Sequence, residues 1–157
     1  SNYYYCWGYN ADAPCDGMVV VAEDGYAEKK TNLLTDVFKA YKNANYFDPY
    51  KDNIQCIAGN YMIIQYAKNV YAALCHLQKD SVQVTVGQYV KAGDYLGNVG
   101  HSGNSFAPHL HFQLMDSRDI TKANGLPCAF REYEIFIDGL WKEVKDGVPT
   151  NRDRIRF

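Results

Sequence analysis

Short apolar runs that alternate with polar residues fill most of the chain, and this pattern predicts strands rather than long helices. Residues 8–22 form short runs around an Asp16-Gly17 turn signal, and a second signal follows at Asp24-Gly25. A Lys68-Asn69 turn separates two of the later runs. From residue 60 onward the predicted strands are NYMIIQYA, VYAALCHL, segments of VQVTVGQYVKAGDYLGNVG, PHLHFQLM, EYEIFI and LWKEV, before an irregular end at GVPTNRDRIRF.

The segment from about residue 27 to 58 departs from this pattern. Thr31 or Asn32 can cap a helix that runs to about Asn43, because the apolar residues then fall on one face. That face consists of Leu33, Leu34, Val37, Phe38 and Tyr41. The sequence therefore predicts a mainly β, single-domain protein over 1–157 with an antiparallel sheet, a helical insertion near 31–44 and a C-terminal extension from about 131.

Composition excludes several classes of function. The chain has 157 residues, 47% of them apolar and 22% charged, with a formal net charge of −2. This balance is that of one globular domain and offers no general electrostatic attraction for nucleic acid or anionic membrane. No apolar run within these 157 residues is long enough to cross a bilayer. They contain no secretory signal, as is also expected of a chain from which one has been trimmed. Ser1-Asn2 resembles the remnant of a cleaved tag, so we expect the natural chain to begin earlier.

Five cysteines stand at positions 6, 15, 56, 75 and 128. None belongs to a C-x-x-C pair, so the spacing does not support a zinc ribbon. We expect mostly buried thiols that pack as small apolar side chains.

The histidines carry the strongest chemical signal. His109 and His111 form an H-x-H pair, and residues two apart in a strand share a face at a separation of about 6.5–7 Å. Two imidazoles on one face can bind one metal, or one can bind metal while the other transfers protons. His76 ends the strand VYAALCHL, and we expect His101, in the preceding GHSGNSFAP loop, to face solvent. Such a glycine-rich loop can leave backbone N–H groups available near a site.

The order of these motifs resembles the lysostaphin- and LytM-type zinc metallopeptidases, which are peptidoglycan endopeptidases. The resemblance covers roughly residues 6–115, interrupted by the insertion, and its most specific part is the PHLHF run with the loop before it. The segments that carry it are Gly17 to Gly25, Gly59 to Ile64, His76-Leu77, Val84 to Gly97 and Gly100 to Phe112.

This resemblance implies a β fold of the duplicated-hybrid type and a Zn²⁺ site. It implies that His111 is a metal ligand and that His109 and His76 are the two catalytic histidines. The family usually has a tyrosine two residues before the latter, where this chain has Leu74. A zinc-activated water would attack the peptide bond while the two histidines orient it, stabilise the oxyanion and pass a proton to the leaving amine.

The remaining family ligands, an H-x-x-x-D pair near the start, are replaced. Cys6 stands at the histidine position and Asn10 at the aspartate position. A thiolate is a good zinc ligand, but a neutral carboxamide is a poor replacement for a carboxylate. His76-x-x-x-Asp80 has the right spacing but lies at the position of a catalytic histidine, so we reject it as the metal pair.

Three hypotheses follow from the replaced pair: a pseudo-enzyme without its metal, an altered Cys–His metal site, or ligands upstream of residue 1. We favour the first, with Zn²⁺ weakly bound or absent. The expected partner is a peptidoglycan peptide, and hence we expect an extracytoplasmic or secreted location at the cell envelope. A non-catalytic cell-wall-binding or regulatory domain is the main alternative. Biotinyl and lipoyl domains rank lower, because the chain has no clear modifiable lysine on a hairpin turn. Phosphocarrier domains, which also use paired histidines, rank lower because they do not show the PHLHF run.

Overall fold

The computed structural model describes residues 5–29, 41, 47–48, 52–150 and 152–157. These residues confirm the predicted mainly β, antiparallel architecture. The predicted helical insertion near 31–44 lies outside the described residues apart from Tyr41. The chain divides into two compact units, Ser1–Gly125 and Leu126–Phe157.

The first unit contains two antiparallel sheets. The strands that begin in this unit are β1 (Asn10–Asp12), β2 (Gly17–Glu23), β3 (Asn60–Ala67), β4 (Val70–Leu77), β5 (Tyr89–Val90), β6 (Tyr95–Asn98), β7 (His111–Met115) and β8 (Gly125–Leu126). One sheet pairs only β1 with β6, and the other has the strand order β5-β2-β3-β4-β7-β8. Its one described helix, α1, covers Gln55–Ala58.

Strands β3 and β4 form the centre of the larger sheet and are buried on both faces. Met62 and Leu74 pack into one apolar cluster together with Val19 and Leu96. The alternate residues Ile63, Ala73, Cys75 and Met115 pack into a second cluster on the opposite face. Because side chains alternate across a strand, burial on both faces produces the nearly continuous apolar runs of these two segments.

The second unit is a separate three-stranded antiparallel sheet. Its strands are β9 (Phe130–Ile137), β10 (Leu140–Gly147) and β11 (Ile155–Arg156), with β9 in the middle. Asp138 and Gly139 both have positive φ, which suits the tight turn that joins β9 to β10. The predicted irregular end at 147–157 is therefore wrong in part, because β11 lies within it.

All five cysteines are free. The expectation of mostly buried thiols is wrong, because only Cys75 is fully buried and Cys128 is exposed, while the other three are partly buried. In the described part of the chain, no helix combines the length and apolar character that a membrane crossing needs.

Candidate functional site

A β-bulge places His76 at the site. Between the pairs Met62↔Leu74 and Asn60↔Leu77, strand β3 advances two residues while β4 advances three. His76 adopts a φ of 64°, a left-handed conformation that is uncommon for a residue with a side chain. Bulges of this kind redirect a side chain beside functional sites, and His76 lines a cavity next to Cys75.

The loop from residue 100 to 105 holds the His76 ring. The Nδ1 atom of His76 lies 2.9 Å from the carbonyl oxygen of Ser102, and Gly100 N–H donates to the His76 carbonyl at 3.0 Å. Asn104 N–H donates to Ile57 O at 2.8 Å. The loop therefore orients His76 with a carbonyl, and these N–H groups are engaged rather than available at the site, contrary to the sequence-based expectation.

Two glycines let this loop approach the start of β3. A Cβ on Gly103 would lie 2.3 Å from Gly59 N, and one on Gly59 would lie 2.3 Å from Ser102 Oγ. Ser102 Oγ donates to Leu77 O at 2.7 Å and accepts Asn60 N–H at 2.9 Å. Because these groups are buried and hydrogen-bonded, the support beneath His76 is rigid.

The prediction that His109 and His111 lie in one strand is wrong. Strand β7 begins at His111, so His109 precedes it. Cys75 and His111 are cross-strand neighbours, and this pairing brings the β7 histidine beside the end of β4. The close approach of the two imidazoles therefore depends on the chain path before β7 as well as on strand periodicity.

The three predicted site histidines converge. One ligating nitrogen from each of His76, His109 and His111 lies within 4.8 Å of the other two. The His76 ring centroid is 4.8 Å from that of His109 and 5.8 Å from that of His111. Among the residues that the structure describes, no carboxylate or thiol joins this group, which we call the histidine cluster.

Hydrogen bonds assign the tautomer of each ring in the histidine cluster. His76 Nδ1 faces Ser102 O at 2.9 Å, and His109 Nδ1 faces Ala107 O at 2.7 Å. Because a carbonyl only accepts, both Nδ1 atoms carry the proton when the rings are neutral. His111 Nε2 faces Gln113 Oε1 at 2.8 Å and is the donor there. Lone pairs therefore remain on His76 Nε2, His109 Nε2 and His111 Nδ1.

Burial keeps His76 neutral. The pKa of His76 is lowered to about 4, chiefly by desolvation and also by the nearby His109, His111 and Lys29 side chains, while the hydrogen bond to Ser102 O opposes the shift. The ring is thus an uncharged imidazole at neutral pH. His109 and His111 are less buried and reach solvent.

The prediction that His101 faces solvent is wrong. Only 2% of this residue is exposed, and its Nδ1 lies 3.0 Å from Ser105 Oγ. Ser105 Oγ donates to Ala107 O at 2.6 Å and lies 3.2 Å from His109 Nδ1. His101 therefore supports the loop from which His109 emerges, and its position four residues before Ser105 gave no sequence signal of this contact.

A cavity of about 330 Å³ opens beside the histidine cluster. His76, His111, Gln113 and Thr121 contribute polar groups, and most of the other lining residues, such as Ile54 and Ile57, are apolar. Burial raises the pKa of Cys75 to about 12, so a thiol rather than a thiolate lies in this wall. An apolar pocket with a few convergent polar groups is a typical binding site for a small ligand or an extended peptide.

Cys6 and Asn10, which stand where the resemblance implies two further metal ligands, are not members of the histidine cluster. Cys6 is partly buried, and its thiol donates to Pro108 O at 3.0 Å. Asn10 is exposed in β1, where it pairs with Asn98. A thiol and a carboxamide therefore stand where the resemblance implies a histidine and an aspartate.

A family model described as peptidase family M23 matches residues 7–123. The chain is 38% identical over 58 residues to the peptidoglycan DD-endopeptidase ShyA of Vibrio cholerae, which is 37% of this chain and 13% of ShyA. It is 58% identical over 40 residues to lysostaphin of Staphylococcus simulans, which is 26% of this chain and 8% of lysostaphin. The matches thus span at most 13% of either curated relative.

Among solved structures, the catalytic domain of lysostaphin from Staphylococcus simulans is similar with a TM-score of 0.47 and 26% identity, covering 76% of this chain and 68% of that chain. The family match is independent of this superposition and contains every residue of the histidine cluster. Membership of this family implies a metal centre. Cys6 lies one residue before the matched range. This chain belongs to the lysostaphin- and LytM-type peptidases of family M23.

Proposed function

We propose that this chain is a peptidoglycan-directed M23 endopeptidase domain whose metal site is degenerate. The observation that carries the proposal is the convergence of three imidazoles beside an open cavity. The fold retains the two histidines expected to face a substrate, His76 and His109, together with the expected metal ligand His111. The expected location, extracytoplasmic at the cell envelope or secreted, follows from this substrate.

His76 and His109 would contact the peptide directly. Each has a lone pair on Nε2, so each can accept a hydrogen bond from a backbone N–H or from an attacking water. The neutral state of His76 is compatible with a general base, since an imidazole must be unprotonated before it accepts a proton. The peptide expected from the family resemblance is a short bridge or stem, often with glycine near the cleaved bond.

The degenerate ligand pair limits hydrolysis. In this family a bound metal polarises the scissile carbonyl and activates water. Cys6 directs its thiol to Pro108 O, and Asn10 carries no charge, so neither supports that chemistry. We therefore expect this chain to bind wall peptides and to hydrolyse them slowly or not at all.

A second candidate is a purely non-catalytic binding or regulatory domain. The hydrogen bond between the Cys6 thiol and Pro108 O favours it, because that contact gives Cys6 a structural role. Retention on insoluble peptidoglycan in the presence of a chelator, without released fragments, is the result expected for this candidate.

Digestion of purified peptidoglycan tests the main proposal. We expect little product from the wild-type chain and a clear gain from the double variant Cys6→His/Asn10→Asp, measured by chromatography of the released peptides. Adding His109→Ala to that double variant is the matched control and should remove the gain. A double variant that binds zinc tightly and still releases no product would contradict a retained catalytic half-site.

A further inference from the structure

We propose that the cavity beside His76 and His111 is a specificity pocket for one aliphatic side chain of the bound peptide. Its isoleucines Ile54, Ile57 and Ile120 contact that side chain and select it over glycine and over charged side chains. The inference rests on the proposed function for its ligand, a wall peptide, and adds which residue of that peptide the chain prefers. It departs from the expectation that glycine lies near the cleaved bond.

Three segments of the first unit build the wall of the specificity pocket: the segment that carries α1, the end of β4 and the loop after β7. Their apolar lining residues include Ile54, Ile57, Ala58, Cys75 and Ile120. Ala58 and Cys75 are each 3% exposed and belong to the second apolar cluster, which therefore underlies the pocket. The three isoleucines are only partly buried, so they retain apolar surface that a ligand side chain can cover.

The lining of the pocket is uncharged apart from its histidines. Among the described residues that form it, none carries a carboxylate, an ammonium or a guanidinium group. Burial raises the pKa of the Cys75 thiol to about 12, because the surroundings of that thiol solvate a negative charge poorly. A charged ligand side chain would lose its hydration here without gaining a partner, so the pocket disfavours it.

The volume of the pocket suits a side chain of the size of leucine. It measures about 330 Å³, near the lower end of the range of about 300–1,000 Å³ that is typical of ligand sites. A glycine residue would leave this space to water in contact with apolar side chains. An aliphatic side chain displaces that water and removes apolar surface of both molecules from solvent, which is favourable.

The pocket adjoins the histidine cluster, because His76 and His111 belong to both. Consecutive Cα atoms of a peptide are about 3.8 Å apart. A peptide bond held at the histidine cluster therefore has a flanking residue within reach of the pocket. The selected side chain is that of a residue next to this bond, so the pocket determines which bond of the wall peptide lies at the histidines.

Methyl NMR of the full chain, labelled at its eight isoleucines, tests the pocket. The probes are acetylated tripeptide amides with glycine at both ends and a central glycine, alanine, leucine or glutamate, the last three in D and L forms. With leucine in at least one form, we expect saturable shifts at Ile54, Ile57 and Ile120, while Ile64, in the first apolar cluster, stays unchanged. We expect that leucine peptide to bind about tenfold or more tighter than the glycine peptide, and glutamate no tighter than glycine.

Two substitutions in the wall locate the preference. Ile120→Asp places a carboxylate in the pocket and should weaken binding of the leucine peptide about tenfold or more. Val86→Asp is the matched control, because Val86 is 64% exposed and does not line the pocket, and should change that affinity less than about twofold. Ile57→Ala removes apolar wall without adding charge and should reduce the ratio of leucine to glycine affinity about threefold or more.

Equal affinities for the leucine and glycine peptides, or leucine-induced shifts that bypass the three isoleucines, would overturn the specificity pocket. Absence of saturable binding by every peptide at millimolar concentration would overturn it as well. Retention of the same preparation on insoluble peptidoglycan tests the proposed function separately. A retained chain without leucine preference contradicts only the pocket, and an unretained chain with that preference contradicts only the cell wall as ligand.

Discussion

The two sides of the candidate site are built differently. On the histidine side, His76 and the loop at 100–105 are held by buried hydrogen bonds through side chains such as Asn60 and Ser102. On the N-terminal side, Cys6 to Asn10, the long-range contacts are mainly backbone pairs: Gly8 N–H donates to Val99 O, and Val99 N–H donates to Tyr9 O, both at 2.8 Å.

This difference explains how the N-terminal side can accept other side chains without loss of the fold. Backbone hydrogen bonds between β1 and its neighbours do not depend on which side chains the residues carry. Cysteine and asparagine can therefore stand at positions 6 and 10 while the strand pairs normally. The histidine side has no such freedom, because its side chains satisfy buried polar groups.

Replacing Gly103 by alanine should destabilise the histidine side more than any other substitution considered below. The added Cβ would meet backbone atoms of Gly59 and Ile57 at 2.3–2.5 Å, and the φ of 66° adds strain. We expect a loss of about 4 kcal/mol in the free energy of unfolding by urea denaturation. Gly87→Ala is the control, with φ 89° but no atom within 4 Å of the new Cβ, and should lose only about 1 kcal/mol. Equal losses would mean that the loop does not pack tightly against β3.

The pH dependence of stability isolates His76. Its pKa is about 4 in the folded chain and near 6.5 in the unfolded chain, so the unfolded chain takes up the proton first as pH falls. The contribution is complete above pH 6.5 and is lost between about 6.5 and 4, a change of roughly 3 kcal/mol. Urea unfolding measured across this range should show the slope in the wild type and a smaller slope in His76→Asn. Parallel curves would show that the ring is not desolvated.

Part of the fold and of the histidine side was predictable from the sequence. The apolar alternation predicted β3 and β4, and the H-x-H pair predicted two of the site histidines, since these motifs are local. The place of His76 beside them was expected only from the family resemblance. The bulge at His76 was not predictable, because it depends on the register between β3 and β4. The burial of His101 was missed because the contact with Ser105 forms only when the loop folds against residues 57–60.

Ser105→Ala tests whether the loop's side chains orient the His109 ring, because it leaves the loop backbone unchanged. It removes the hydroxyl that accepts from His101 Nδ1 and donates to Ala107 O. We expect a loss of about 1–2 kcal/mol on urea unfolding, together with a changed ¹⁵N shift at His109 Nδ1. Ser117→Ala, where the hydroxyl only accepts Asp119 N–H, is the control and should change neither signal appreciably. An unchanged His109 resonance in Ser105→Ala would mean that Ala107 O alone fixes that ring.

Cys6→Ala should have the smallest effect on stability, because backbone hydrogen bonds hold most of the N-terminal side in place. The thiol is a weak donor, and its hydrogen bond to Pro108 O is partly buried, so we expect a loss of no more than about 1 kcal/mol. The ¹⁵N shifts of the three clustered histidines should stay unchanged in the metal-free protein. A loss above about 2 kcal/mol, or displaced His109 and His111 signals, would show that Cys6 supports the H-x-H segment. The two sides would then be structurally coupled, and substitutions at position 6 would affect the histidines as well as the metal.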